Sequence, residues 1–421
     1  MKMRSKIILQ SLLLLFITAQ FSFGQLGFSG ELRARPEYRH GYKSLAYPDQ
    51  DPAFFVSQRT RLKLHFEENR FSFHLAVQDV RTWGSTSQLN ISDGYFSVHE
   101  AWGGVKISEQ FNLKVGRQEL VYDDQRILGN VDWAQHGRSH DLLLLKFEKN
   151  SFKWHTGLAY NQDKEQLSTN FYSVEGNYKT MQFIWLHKNF ENTRASVLFL
   201  NNGNQNADTT MSYSQTLGTY WNFDLGPLKL NASGYYQMGK DALKKDLSAA
   251  YINVDLSWPL SFGLTPTIGV EYLSGTDQSN TISNNSFTPL YGTNHKFNGH
   301  MDYFFVGNHV NNVGLTNPYL RLVYKLDKWV INGAVHYFSS AARILDPADS
   351  NNTLKNFLGT EVDLYVSRKI VESLSLSAGY SQMFATNSME AIKGGDASTT
   401  NNWAWLMLSF TPDFLKSQKT P

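Results

Sequence analysis

The chain contains no cysteine. That excludes a disulfide framework, thiolate-held metal and the lipid anchor that needs a cysteine after a leader. It also lacks any stretch beyond residue 24 that approaches the ~20 apolar residues of a transmembrane helix. Charge of one sign is missing too: 39 Lys and Arg stand against 37 Asp and Glu, a formal net charge of +2. So balanced a chain has no broad basic surface for nucleic acid. No G-x-S-x-G, P-loop or H-E-x-x-H occurs, and no low-complexity tract interrupts the sequence.

What is present begins with a leader. Lys2, Arg4 and Lys6 precede an apolar run from Ile7 to Ile17, followed by small residues at Ser22 and Gly24. This is the layout of a secretory signal peptide, with cleavage expected between Gly24 and Gln25. The apolar run is too brief to cross a bilayer. Cleavage would remove three positive charges and no negative ones, taking the net charge from +2 to −1.

From there to the C-terminus, amphipathic segments of about ten residues recur, joined alternately by short turns and long polar loops. In the first, Phe28, Gly30, Leu32, Ala34 and Tyr38 fall on one side, while Glu31, Arg33, Arg35, Glu37 and Arg39 fall on the other. The second sets Val56, Thr60, Leu62, Leu64 and Phe66 against Arg59, Arg61, Lys63, His65 and Glu67. Period-two alternation puts the two sets on opposite faces of a strand. Arg or Lys at the bilayer midplane costs ~2–4 kcal/mol, so in lipid the charged face must line a lumen. Aromatic residues make up 14% of the chain, with 28 Phe and 21 Tyr, which suits girdles at both interfaces. Two segments, Leu142–Phe147 and Tyr178–His187, are apolar on both faces.

The expected fold is therefore all-β: a closed transmembrane antiparallel barrel of about 18 strands over residues 25–410, with a C-terminal tail over 411–421. Short periplasmic turns fall at Glu67–Arg70, Ile107–Gln110, Glu148–Ser151, Asn189–Asn192, Asp224–Pro227, Pro259–Gly263, Leu326–Lys328 and Lys369–Ser373. Long loops fall on the outer side, the longest from about Gly275 to Asn317. In lipid every backbone polar group must be paired, so the sheet has to close. A barrel of this size leaves room for an aqueous channel. The address is the outer membrane of a Gram-negative bacterium, with its lipid as the first partner.

Several stretches resemble the alginate export family of outer-membrane porins: "LAVQDVRTWG" (Leu75–Gly84), "EAWGGVKI" (Glu100–Ile107), "LKVGRQEL" (Leu113–Leu120), "DDQRILGNVDWAQHGRSHD" (Asp123–Asp141), "EYLSGT" (Glu271–Thr276) and "FTPLYGTNHKFNGHMDYF" (Phe287–Phe304). The resemblance spans the mature chain. It implies an 18-stranded barrel passing an anionic polysaccharide through a positively lined pore, although fold alone does not fix cargo. Trp403–Phe410 reads as a terminal strand ending in an aromatic residue, offered to the barrel assembly machinery with residues 411–421 beyond it.

The expected function is passage of an anionic poly- or oligosaccharide, or a small organic anion, with direction set by gradients and periplasmic export partners. Candidate lumen residues are Arg33, Arg35, Arg39, Arg59, Arg61 and Lys63, extended by Arg81, Arg117, Arg126, Arg138 and Arg321. Guanidinium groups stay charged and hold carboxylates through forked hydrogen bonds. Two readings stand side by side: an anion-attracting patch, or a ladder in which Glu31, Glu37, Glu67, Asp79 and Asp123 neutralise the arginines. Tyr291, His295, Lys296, His300 and Asp302 mark the longest loop as a candidate constriction, against an ordinary surface loop. No metal site is expected, since no carboxylate completes a persuasive set around the two histidines, and no cofactor is. Ser139, His140 and Asp141 are consecutive, so strand alternation separates them and they form no triad. The rivals to a channel are a loop-closed structural or adhesive barrel and an outer-membrane hydrolase.

Overall fold

A computed structural model describes residues 25–293, 295–309 and 312–416. The leader expected over residues 1–24 and the end of the tail, residues 417–421, lie outside the described residues. Eighteen long antiparallel strands form one closed sheet. They are β1 Gln25–His40, β2 Ala53–Glu68, β3 Phe71–Thr82, β4 Phe96–Lys106, β5 Phe111–Gln118, β6 His140–Lys149, β7 Phe152–Tyr160, β8 Thr180–Asn189 and β9 Thr193–Gln205. The circuit continues with β10 Met211–Leu225, β11 Leu228–Lys240, β12 Asp246–Ser257, β13 Leu264–Leu273, β14 Leu315–Leu326, β15 Trp329–Ser339, β16 Phe357–Val371, β17 Leu374–Ala385 and β18 Asn401–Phe410. Each strand pairs with its sequence neighbours, and β18 returns to β1 from Leu32 opposite Phe410 to His40 opposite Asn402.

All eight expected turns join strands at one end of the barrel. Several place a residue in the left-handed region, where Asn, Asp and Gly are tolerated: Asn69, Asn150, Gly226 and Asp327. The connections at the other end are longer, with two exceptions at residues 206–210 and 241–245, which are hairpins nearly as tight as the periplasmic ones.

The alternation has its physical cause in the two solvents. On β1, Phe28, Leu32 and Tyr38 point outward, while Arg33, Arg35 and Glu37 are buried inside. On β12 to β14, Ile252, Val254, Ile268, Val270, Leu320 and Leu322 form the outer apolar surface. Below Phe410 the chain does not leave the wall. Asp413–Lys416 resumes pairing with β1 down to Gly27, and Gly30 N donates to Pro412 O. The tail thus covers the lower edge of β1, which β18 is too short to reach.

Two outer loops fold into the barrel. Residues 119–139 and the segment 287–293 meet there as a small patch of shared backbone: Gly129 N donates to Tyr291 O (2.8 Å), Tyr291 N to Ile127 O (3.1 Å) and Thr293 N to Gln125 O (2.8 Å). Gly292 permits the approach, since a Cβ there would lie 2.1 Å from Arg126 O. Leu120, Tyr122, Ile127 and Leu128 pack with Leu142, Leu144, Met181, Phe183 and Trp185 of the wall. This explains why β6 and β8 are apolar on both faces. One face meets lipid and the other meets a loop.

Candidate functional site

The first two strands set the arginines in an unfavourable register. Arg33 stands directly opposite Arg59, and Glu31 opposite Arg61. Like charges across a strand pair repel, so something must lie between them. Glu31 and Asp132 do: Arg59 Nη2 donates to Glu31 (2.5 Å) and to Asp132 (2.8 Å), and Arg33 Nη2 donates to the same two carboxylates at 3.0 and 3.2 Å. The remaining donors reach loop carbonyls. Arg33 bonds Asp132 O (2.8 Å), Arg35 bonds Trp133 O (2.8 Å) and Arg59 bonds Gln135 O (3.3 Å). Arg61 holds Gln78 Oε1 (2.7 Å), whose amide donates to His136 O (2.9 Å). Arg59 and Arg61, at 1% and 3% exposed, are sealed beneath the loop. On this part of the wall the ladder prevails, with the inward loop as one of its rungs.

Other candidates divide. Arg39 is held by Glu37 (2.7 Å) yet remains partly exposed over Tyr42 and Phe55. Arg81 pairs with Asp79 and with Asp93 (2.9 Å). Arg126 is buried deep in the lumen against Glu271 (2.9 Å), between the rings of Tyr251 and Phe297. Arg138 donates to Gly292 O (2.7 Å), and burial pulls its pKa down to about 10. Arg117 corrects the expectation of a lumen position. Lys114 and Gln118 turn inward on β5, so Val115 and Arg117 face out, and Arg117 pairs with Asp141 (2.7 Å) near the outer end of the strand. A charge is cheap there, close to the interface. The side chains of Lys63 and Arg321 make no hydrogen bond or ion pair among the described residues, and the Arg321 guanidinium lies 5.5 Å from the centre of the Tyr319 ring. Of the acids expected to neutralise the wall, Glu67 instead bonds Lys106, and Asp123 accepts from Trp185 and Ser196.

The long loop does enter the lumen. Tyr291 donates to Asn202, Lys296 Nζ to Asp124 O (2.6 Å), and Tyr42 to Asp302 (2.5 Å). Burial would raise the Asp302 carboxyl, but His295 at 3.5 Å and the Tyr42 hydroxyl hold it below the usual range. Burial pushes His300 down to about 4 although Asp363 lies 3.8 Å away.

These pieces assemble into a stacked bridge from β1 to β16 along one side of the barrel, where β17 and β18 separate the two strands. The Arg35 guanidinium lies 4.2 Å over one face of Trp133, and His295 stacks on that ring at 4.1 Å and 8°. His300 stacks on His295 at 4.8 Å and approaches Asp363 on β16. Trp405 and Trp403 of β18 meet the Trp133 edge at 4.9 and 5.8 Å. Above the bridge lies a cavity of about 700 Å³ lined by Arg35, Arg39, Lys43, Arg81 and Arg138, with Glu37 and Asp302 the acidic members. Below it lies one of about 400 Å³ that includes Arg33, Asp132, Lys296 and His300. Trp133 lines both.

Sequence reasoning missed Asp132 and Trp133, although both lie in the quoted Asp123–Asp141 stretch. It also missed the lumen-facing Lys114, which sits 3.7 Å over Trp102. The available signal was the apolar inner face of β6 and β8, which needs a loop to cover it. Folding also gathers a hydroxyl, an imidazole and a carboxylate: Ser139 Oγ lies 3.2 Å from His99 Nδ1, and His99 Nε2 lies 2.7 Å from Glu119. The Ser139 hydroxyl donates to the His99 carbonyl (2.5 Å) and His99 is buried, so the trio ties the loop to β4. Ser139, His140 and Asp141 are separated: His140 bonds Tyr178 inside and Asp141 pairs with Arg117 outside.

The family model described as alginate export matches residues 25–403. No curated protein matches the chain. Among solved structures, OpdL of Pseudomonas aeruginosa superposes with a TM-score of 0.63 at 14% identity, covering 93% of this chain and 99% of that one. OccK3 (OpdO) of the same organism gives 0.62 at 14% identity, with 93% and 96% covered. The outer membrane protein OpdK gives 0.58 at 12% identity, with 92% and 99% covered. At such identities the likeness is one of fold.

Proposed function

The chain belongs to the alginate export family, and from that premise we propose that this outer-membrane barrel is a passive channel for anionic solutes, either an anionic oligo- or polysaccharide or a small organic anion. The observation that carries the reading is the outer cavity, where five basic side chains face two carboxylates. Arg39, Lys43 and Arg81 are the groups an arriving carboxylate would meet, while Arg33, Arg59 and Arg61 hold the loop that shapes the passage. Aromatic rings at Tyr42, Phe55, Tyr95 and Trp133 share that cavity and offer flat apolar surface beside the charges. Transport needs no covalent chemistry. Several weak contacts replace part of the hydration shell, and none holds the solute long. Insertion would use the barrel assembly machinery, and periplasmic partners would deliver or receive the solute.

The test is ion selectivity in a planar bilayer under a salt gradient. Replacing Arg39 and Arg81 together by Gln should shift the reversal potential toward cations and lower the anion-to-cation permeability ratio severalfold. An unchanged ratio in a folded double variant rejects the basic mouth as the selectivity element. A second reading, a barrel closed at rest, is favoured by the stacked bridge between the two cavities. It predicts little current from the native protein and steady current once Trp133 is replaced by Ala.

A further inference from the structure

The outer face of β8, β9 and β10 carries amides where the rest of the wall offers carbon to lipid. Gln182 stands opposite Asn201, and Asn201 opposite Gln215. Their strand neighbours Met181, Leu200 and Thr216 are buried toward the interior, so all three amides point outward. The next outward row toward the periplasm, Ile184, Phe199 and Leu217, is apolar and exposed. The next row toward the rim brings the exposed rings of Tyr160 and Tyr213, with Tyr213 opposite Gly203. A Cβ at Gly203 would meet the Tyr213 ring at 2.8 Å, so the glycine lets that ring close over β9. The amides therefore lie just inside the outer aromatic girdle, at the depth where acyl chains join their headgroups.

The row is hydrogen-bonded within itself but not at its ends. Asn201 Nδ2 donates to Gln182 Oε1 (2.7 Å), and Gln215 Nε2 donates to Asn201 Oδ1 (2.7 Å). Gln182 Nε2 and Gln215 Oε1 make no hydrogen bond among the described residues, and beside them Thr180 Oγ1 is buried with no partner there either. The row thus ends in a free donor on β8 and a free acceptor on β10, two strand spacings or roughly 10 Å apart. Polar groups left unpaired at the edge of the hydrocarbon are costly, and a partner must come from outside the chain. Gln382, another outward amide, is different: its Nε2 donates to the backbone carbonyl of Asn401 (3.0 Å). The rim above the row adds no net charge. Lys240 pairs with Asp246 and Lys244 with Asp208, and Lys245 and Asp241 share the same hairpin.

We infer that this row is a docking surface for the glycolipid of the outer leaflet, whose acyl chains hang from a glucosamine disaccharide through amides. An N-acyl N–H donates to Gln215 Oε1, and a second acyl carbonyl accepts from Gln182 Nε2. The separation of the two free ends suits a disaccharide with an amide-linked chain on each sugar. The ester carbonyls of one phospholipid stand closer together and bring no N–H. Neutral amides recognise the linkage and not the charge, and over a balanced rim the lipid's phosphates add no selectivity. The tight hairpins at residues 206–210 and 241–245 leave the headgroup room above the row. The inference is independent of what crosses the lumen, because the row faces away from it.

The experiment is native mass spectrometry of the full-length mature protein in detergent, with lipid A and phosphatidylethanolamine supplied in equal amounts. Lipid A should be retained at least about fivefold more than the phospholipid. Asn201→Leu combined with Gln215→Leu should reduce the lipid A adduct by about fivefold or more and leave the phospholipid adduct unchanged. Both substitutions set apolar side chains against lipid, so the barrel still folds, and its heat-dependent mobility on gels checks this. Gln382→Leu should retain lipid A as the native protein does, and monophosphoryl lipid A should bind as the diphosphoryl form does. Equal retention of the two lipids, retention unaffected by the double variant, or loss on removing one phosphate overturns the assignment. Dimers that the double variant abolishes, with no preference for lipid A, also overturn it and give the row to a second copy of the chain.

Discussion

Asp123 shows how single residues tie the inner loop to the wall. Its carboxylate accepts from Ser196 Oγ (2.7 Å) and Trp185 Nε1 (3.1 Å). Burial nevertheless dominates and raises its pKa to about 6. A carboxyl that holds its proton more tightly when folded adds stability that is complete below the unfolded pKa near 4 and is lost as pH rises through about 6. Unfolding free energy should therefore fall by up to roughly 3 kcal/mol across that window. Asp123→Asn, which keeps the acceptor and never ionises, should flatten the dependence. Urea unfolding followed at several pH values would read both. The arginines make a different point at the same scale. Their face was legible from alternation, but their partners were not, because Asp132 lies 99 positions from Arg33 and nothing local announces it. Arg59→Gln should then act on the loop: it leaves Glu31 and Asp132 short of a donor and should make the channel current noisier, more than it shifts ion preference.

At the scale of elements, the strands and turns could be read because each depends on its own few residues. Inward and outward sets repeat every second position, and the eight tight turns carry residues suited to a reversal. The inner loops could not be read in that way, since their backbone partners lie on each other. The segment apolar on both faces was the one local sign that something covers β6. Trp133 concentrates what those loops do, held between Arg35 and His295 at the junction of two cavities. Trp133→Ala should raise single-channel conductance while leaving the barrel's resistance to heat within a few degrees of the native value. A fall in conductance would mean that the ring props the passage open.

For the whole molecule, stability belongs to the wall and its match to lipid. Leu320, in the middle of β14, is 45% exposed on the outer face. Leu320→Arg should cost ~2–4 kcal/mol in refolding equilibria in bilayers, as expected near the midplane. The seam is the other global feature. β1 runs from Gln25 to His40, while β18 stops opposite Leu32, and Asp413–Lys416 completes the lower part. Truncation after Phe410 would expose the lower edge of β1 and should lower the temperature at which the barrel unfolds.

The crossing of the two inner loops also has a consequence in time. Arg126 meets Glu271 and Gly129 meets Tyr291 across more than a hundred residues of chain, and contacts so distant in sequence form late. A newly closed barrel would pass through a stage when its wall is finished and its interior is not. For that interval the cell would carry a wide hole, and settling of the loops would end the leak. Refolding into a bilayer under voltage should show this as a large early current that decays to the mature level.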